Sequence, residues 1–246
     1  MQDRKLVIIP TYNEKENIES ILRKVFSLQE DFHVLVVDDG SPDGTADIVI
    51  RMQDEFFGKL HIEQRTGKMG LGTAYIHGFK YAIAKGYDYI FEMDADFSHN
   101  PDDLIRLYQA CALEGNDLAI GSRYVNGVNV VNWPMGRVLM SYFAGKYVQL
   151  ITGMPINDPT AGFKCYKRKV LETLALDKIK FVGYAFQIEM KFETWKHGFC
   201  MKEVTIIFTD RTRGQSKMSI GIFQEALLGV LEIKAKSFFK HYKLVS

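Results

Sequence analysis

Val34-Leu35-Val36-Val37-Asp38-Asp39-Gly40-Ser41-Pro42-Asp43-Gly44-Thr45 is the stretch on which the reading of this chain turns. Four consecutive branched apolar residues suit a strand buried on both faces, and the acidic, glycine- and proline-containing run that ends it is turn chemistry. A helical pattern through Ala46, Ile48, Val49 and Met52 follows. The same alternation continues on either side. Leu6-Val7-Ile8-Ile9 reads as a strand, and residues 14–28 place Ile18, Ile21, Leu22 and Val25 at helical spacing. Residues 60–64, 87–93 and 117–120 read as further strands, with helices over 73–85 and 102–114. Strands alternating with helices imply an α/β fold with a mostly parallel central sheet flanked by helices on both faces. In such sheets the ligand crevice lies beyond the carboxyl ends of the strands, where the polar clusters after strands one, two and four converge.

The second half is less regular. Helices are expected over 137–151 and 185–197, with a loop over 155–160 between them. A strand is expected over 204–208, followed by a polar loop over 209–217. The last stretch, 220–239, places Ile220, Phe223, Leu227, Leu231 and Lys234 on one face of an amphipathic helix. One domain over 1–217 with an amphipathic helical extension over 218–246 is the expected organisation.

Composition narrows the function. Hydrophobic residues at 47% and charged residues at 25% are ordinary globular values, and a formal net charge of +1 argues against bulk nucleic acid as a partner. Cys111, Cys165 and Cys200 are widely spaced and read as reduced packing residues of a cytoplasmic protein. No secretory leader and no membrane span are expected, which leaves a role at a membrane surface open.

The strongest chemical signal is Asp94-Ala95-Asp96 at the end of the strand that includes Tyr89-Ile90-Phe91-Glu92-Met93. Residues i and i+2 of an extended segment point the same way, so both carboxylates face one site. Two such carboxylates repel unless a hard divalent cation such as Mg²⁺ or Mn²⁺ joins them. Ser98 and His99 are further candidate ligands, although Asp96 or Ser98 would also serve as a cap for the helix opening near Pro101-Asp102, and His99 as a loop hydrogen-bonder. Asp38 or Asp39 suits hydrogen bonds from a base or ribose, whereas Asp43 and Thr45 equally suit a turn and helix cap. In Pro10-Thr11-Tyr12-Asn13-Glu14, Tyr12 offers a stacking face and Glu14 an acceptor. Gly67-Lys68-Met69-Gly70-Leu71-Gly72-Thr73 matches neither a P-loop nor a dinucleotide fingerprint. Arg123, Arg137 and Arg211 follow expected element ends, and their planar forks suit phosphate oxygens. No nucleophile elbow, Cys/His pair or zinc helix is present, which points to cation-assisted group transfer.

Pro10-Thr11-Tyr12-Asn13-Glu14, residues 38–45, 70–82 and 94–101, Gly121-Ser122-Arg123-Tyr124 and residues 210–218 occur in this order, and with them the chain resembles dolichol-phosphate mannose synthases, inverting GT-A glycosyltransferases. The resemblance runs from about residue 6 to 218. It implies a Rossmann-like GT-A fold, GDP-mannose as donor, a polyprenyl (dolichyl-type) monophosphate as acceptor and a divalent metal, Mg²⁺ or Mn²⁺. It also implies that Pro10, Tyr12, Glu14, Val37, Asp39, Asp94 and Ala95 hold the nucleotide sugar, and that Asp96, with Asp94 and Ser98, holds the metal. Arg123, Arg137, Ser141 and Arg211 then receive the acceptor phosphate, and Asp96, Arg123, Arg137, Arg211 and Lys217 form the catalytic set. Some relatives carry glutamine where Ser98 stands, and many carry C-terminal transmembrane helices. This chain is similar to the compact subclass that works peripherally, on the cytoplasmic face of a membrane. A transferase using UDP-glucose with the same carrier, and a nucleotide-sugar-binding protein without activity, are the alternatives.

Overall fold

The computed structural model describes residues 3–211 and 220–244, of 220–226 the backbone only. Its first half follows the expected alternation: β1 (Lys5–Thr11), α1 (Ile18–Phe26), β2 (Phe32–Asp38), α2 (Thr45–Met52), β3 (Leu60–Gln64), α3 (Leu71–Ala84), β4 (Tyr89–Glu92), α4 (Asp103–Ala112) and β5 (Leu118–Ser122). The second half holds β6 (Val130–Val131), α5 (Met135–Thr152), β7 (Lys164–Lys167), α6 (Arg168–Thr173), α7 (Tyr184–Lys196), β8 (Met201–Thr205), β9 (Phe208–Thr209) and α8 (Ile220–Ser237).

Seven strands form one sheet in the order β3-β2-β1-β4-β7-β5-β8, and β6 pairs with β9 in a separate two-stranded ribbon. β1 is flanked in parallel by β2 and β4, so chain order reverses direction across the sheet between β1 and β4. That switch point opens a crevice at the carboxyl ends of these strands. Leu6, Val7, Ile8 and Ile9 of β1 are fully buried because helices cover both faces. Val7 and Ile9 pack with Ile18, Ile21, Leu22 and Val25 of α1 on one side. Leu6 and Ile8 pack with Ala74, Tyr75 and Phe79 of α3 on the other. Each such buried aliphatic side chain contributes roughly 1.5–3 kcal/mol. A Cβ on Gly78 would stand 2.7 Å from Ile8 Cγ2, so only glycine lets α3 lie this close to β1 and bring its first turn to the crevice.

β7 departs from the alternating pattern. It runs antiparallel to both β4 and β5, with Lys164 directly opposite Glu92. Both side chains are fully buried and paired at 2.9 Å. Gln187 of α7 donates to Glu92 Oε2 at 2.8 Å and accepts from Lys164. The strand expected over 204–208 divides instead into β8 and β9, which belong to different sheets.

α8 also differs in detail from its expected face. Leu231 is exposed, whereas Val230 and Ile233 are buried in the core with Phe181 and Ala185. Gly229 packs so closely that a Cβ there would lie 3.0 Å from the Phe181 ring. The side chains of Ile220 and Phe223 lie outside the described residues. Among the described residues, no helix is long and apolar enough to cross a membrane.

Candidate active site

A cavity of about 490 Å³ occupies the crevice. Its walls come from the segments after β1 (Pro10, Thr11, Tyr12, Glu14), after β2 (Asp39) and after β4 (Asp94, Ala95, Asp96, Ser98, His99). Register explains the convergence. Pro10 is opposite Val37 in the β1–β2 pair, and Ile8 is opposite Glu92 in the β1–β4 pair, so the next residues of all three strands emerge at one edge. Val37 itself does not line the cavity; its side chain is fully buried under α3 with Leu35 and Tyr75.

At this edge the two adjacent aspartates of β2 part company. Asp38 is almost fully buried and is consumed by the turn, accepting from Thr11 Oγ1 at 2.8 Å and from Ser41 N–H at 2.9 Å. Asp43 likewise accepts the Thr45 N–H at 3.0 Å just before α2. Asp39 faces the cavity. Behind it Arg65 donates Nε–H to Oδ1 at 2.6 Å and Nη1–H to Thr73 Oγ1 at 2.8 Å, fixing the carboxylate. Lys68 stands 5.4 Å from the Tyr12 ring centroid, so the glycine-rich segment before α3 folds over this end.

Asp94 and Asp96 stand beside each other at the middle of the cavity. Asp96 does not cap α4; its Oδ1 accepts the Ser98 N–H at 3.0 Å and its Oδ2 meets Arg211 Nη2 at 2.6 Å. Burial and the neighbouring Asp96 push the Asp94 carboxyl up to about 7. Burial alone would raise Asp96 too, but hydrogen bonding from Ser98 and the charge of Arg211 hold it below the usual carboxylate range. Ser98 Oγ is buried with no hydrogen-bond partner among the described residues. Among those residues no group of three His, Cys, Asp or Glu side chains is arranged to hold a metal ion. Asp94, Asp96 and Ser98 offer two carboxylates and a hydroxyl, which would fit a hard cation whose remaining ligands were phosphate oxygens and water.

The far end is cationic, then apolar. Arg123 is nine-tenths buried and clamped by Asp158 in a two-pronged pair, Nε–H to Oδ2 at 2.7 Å and Nη2–H to Oδ1 at 2.6 Å. Asp158 also accepts the Arg123 N–H at 3.0 Å. Glu203 of β8 accepts the N–H groups of Asn157 and Asp158, both at 2.9 Å, and thereby fixes the loop. Burial alone would depress the Arg123 guanidinium and raise the Asp158 carboxyl, but each charge more than reverses that for the other. Arg137 lies over the Trp133 ring at 4.1 Å and donates to Asp210 at 2.9 Å. Ser141 is one turn further along α5, on the same face. Ala144 and Val148 continue that face, and Tyr147 and Leu227 complete an apolar wall.

All the residues expected at the site and lying within the described segments thus line one cavity, Val37 excepted. Lys217 lies outside the described residues. Sequence reasoning misses Trp133, Asp158, Thr160 and Gln187. Asp158-Pro159-Thr160 carries only a loop signal, and Trp133 and Gln187 have no spacing that ties them to the acidic triplet.

Comparisons with known proteins show the family and the fold. Residues 6–175 match the profile of glycosyl transferase family 2. The chain is 45% identical over 229 residues to polyprenol monophosphomannose synthase of Mycolicibacterium smegmatis, covering 93% of this chain and 86% of that protein. It is 44% identical over 227 residues to undecaprenyl-phosphate mannosyltransferase of Micrococcus luteus, covering 92% of each. Among solved structures, glucosyl-3-phosphoglycerate synthase from Mycobacterium tuberculosis with Mn²⁺, UDP and glucosyl-3-phosphoglycerate superposes with a TM-score of 0.70. That match covers 95% of this chain and 80% of the other at 20% identity, a likeness of fold.

Proposed function

This chain belongs to glycosyl transferase family 2, has the GT-A fold and is a glycosyltransferase, and we propose that it transfers mannose from GDP-mannose to a polyprenyl monophosphate with inversion. One observation carries this reading. A single cavity is lined by Tyr12 and Asp39, by Asp94 and Asp96, by Arg123, Arg137 and Ser141, and by Ala144, Tyr147, Val148 and Leu227. Groups suited to a base, a diphosphate, a phosphate and a hydrocarbon, the parts of the reactants in such a transfer, thus share one cavity. The relatives in M. smegmatis and M. luteus are named for mannose transfer to polyprenyl carriers, and they align over nearly the whole chain.

Tyr12 stacks on the base while Asp39, held by Arg65, accepts its N–H groups. Asp94, Asp96 and Ser98 hold a divalent cation, Mg²⁺ or Mn²⁺, which when bound neutralises charge growing on the departing diphosphate. The Mn²⁺ in the solved neighbour supports that choice of ion class. Arg123, Arg137 and Arg211 orient the acceptor phosphate so that one oxygen attacks the anomeric carbon opposite the leaving group. A phosphomonoester has a second pKa near 6, so this oxygen is largely ionised at neutral pH and no protein base is required. The outer faces of α5 and α8 expose Leu139, Phe143, Leu150 and Leu228, which suits peripheral docking on the cytoplasmic face of a membrane that supplies the carrier.

Radiolabelled GDP-mannose incubated with a polyprenyl phosphate, with and without a chelator, tests the reading. Label should enter the lipid only when a divalent cation is present, and Asp96→Asn should lower the rate about a thousandfold with the fold intact. Equal transfer from UDP-glucose would remove the donor assignment, and full activity in chelator would remove the cation.

A further inference from the structure

His99 carries structure that the transfer reaction leaves unused. Its side chain is only 3% exposed, yet it lines the cavity immediately beside the acidic triplet. The ring is stacked on Phe163, centroids 4.8 Å apart with planes 13° from parallel, and meets Phe208 edge-on at 5.5 Å. Those two rings fix the plane of the imidazole. Nδ1 accepts the backbone N–H of Asp94 at 3.2 Å. A nitrogen that accepts bears no proton, so the neutral ring carries its proton on Nε2. Nε2 has no hydrogen-bond partner among the described residues.

The place of that donor matters. His99 lines the same cavity as Asp96 on the donor side and Arg123 on the acceptor side. On the transferase reading, the group in transit passes between those two sets. Gly162 keeps the space over the ring open. A Cβ there would come within 3.8 Å of His99 Cε1 and 3.7 Å of Gln187 Nε2, filling the gap between them.

We propose that His99 is a two-ended residue, its Nδ1 positioning the backbone of Asp94 and its Nε2–H donating to a hydroxyl of the transferred hexose. This inference rests on the transferase reading. A hydroxyl suits the position because it accepts from a neutral N–H. The ring thus couples the stance of the cation-binding loop to occupation of the sugar site.

Two substitutions separate the ends. His99→Asn keeps an amide oxygen near the Nδ1 position and loses Nε2. His99→Gln keeps an amide near the Nε2 position and loses Nδ1. With the full chain, His99→Asn should bind GDP with Mn²⁺ within about threefold of wild type in calorimetry, while kcat/KM for GDP-mannose falls about tenfold. His99→Gln should weaken GDP and Mn²⁺ binding itself by about tenfold. Wild-type kcat/KM in His99→Asn, or equal loss of GDP affinity in both variants, would overturn the proposal. A second measurement needs no variant: one monodeoxy analogue of the donor sugar should cost the wild-type protein about tenfold in kcat/KM, and no such analogue doing so would also overturn it. A wild type that turns over no nucleotide sugar refutes the transferase reading instead, which keeps the two failures distinct.

Discussion

Two buried aspartate–arginine pairs stand at opposite ends of the cavity, and they are mirror images. At the nucleotide end Asp39 faces the cavity and Arg65 stands behind it; their side chains are 8% and 7% exposed. At the acceptor end Arg123 faces the cavity and Asp158 stands behind it, 10% and 1% exposed. The forward member has the sign that its expected ligand demands: a carboxylate toward base N–H groups, a guanidinium toward a phosphate. The rear member locks the rotamer of the forward one, and at the acceptor end the Asp158 charge holds Arg123 ionised where burial alone would disfavour it. On the proposed function, binding polarity follows from which partner of a pair the backbone brings forward.

Removing a rear partner should therefore do more damage than its distance from substrate suggests. Asp158→Ala strands Arg123 without a counter-charge and removes the carboxylate that accepts the Arg123 N–H. We expect a loss of roughly 3–5 kcal/mol in chemical denaturation, together with a collapse of transfer. The milder Asp158→Asn should raise the acceptor KM about a hundredfold while changing the donor KM less than threefold. The pH dependence has a definite sign. Asp158 titrates lower in the folded protein than in the unfolded chain, so its contribution is fully present above about pH 4 and is lost as pH falls further. The stability gap between wild type and Asp158→Asn should stay constant from pH 8 to 5 and narrow below 4. A gap that already closes at pH 6 would break the symmetry between the pairs.

Arg65 is the matching test at the other end. Arg65→Ala should raise the donor KM ten- to thirtyfold and leave the acceptor KM nearly unchanged, as measured by varying each substrate in turn. Arg65→Lys should recover only part of this, because a single ammonium cannot hold Asp39 and Thr73 together as the guanidinium does. Equal effects of Arg65→Ala on both substrates would mean that the pair supports the fold rather than the nucleotide.

The two ends are not equally legible in the sequence. The nucleotide half is built from buried parallel strands, whose unbroken apolar runs and acidic turns mark both element and site, so the Asp38-Asp39 pair, Asp94 and Asp96 stand out from the order of residues alone. Nothing in that order separates Asp39 from Asp38; what does so is a turn that consumes one carboxylate and leaves the other facing the crevice. The acceptor half is assembled from long-range contacts that no local pattern encodes. β7 reads Lys164-Cys165-Tyr166-Lys167, which looks like exposed polar chain; it is a central strand only because Glu92, on β4, neutralises Lys164 from directly opposite. Asp158 is hidden for the same reason, since its partner is 35 residues away. On α8 the amphipathic pattern is plain, but its buried stripe falls on Val230 and Ile233 rather than Leu231, because packing against α7 fixes the rotation.

Arg137 supplies the smallest effect and the sharpest contrast with Arg123. Its pair with Asp210 is about one-third exposed on both sides, and its guanidinium rests on Trp133 instead of in a carboxylate clamp. Exposed pairs contribute little to stability, so Arg137→Ala should shift the unfolding free energy by less than about 0.5 kcal/mol. It should still raise the acceptor KM about tenfold, because a cation facing a phosphate is lost. Solvent reaches this arginine, so its share of acceptor binding should shrink as salt is added, whereas the share carried by buried Arg123 should persist. Acceptor KM measured from 50 to 500 mM salt should therefore converge for wild type and Arg137→Ala but not for wild type and Asp158→Asn. If both variants converge alike, burial of the rear aspartate does not distinguish the two arginines, and the polarity of the pairs would have to arise from the ligand instead of from the fold.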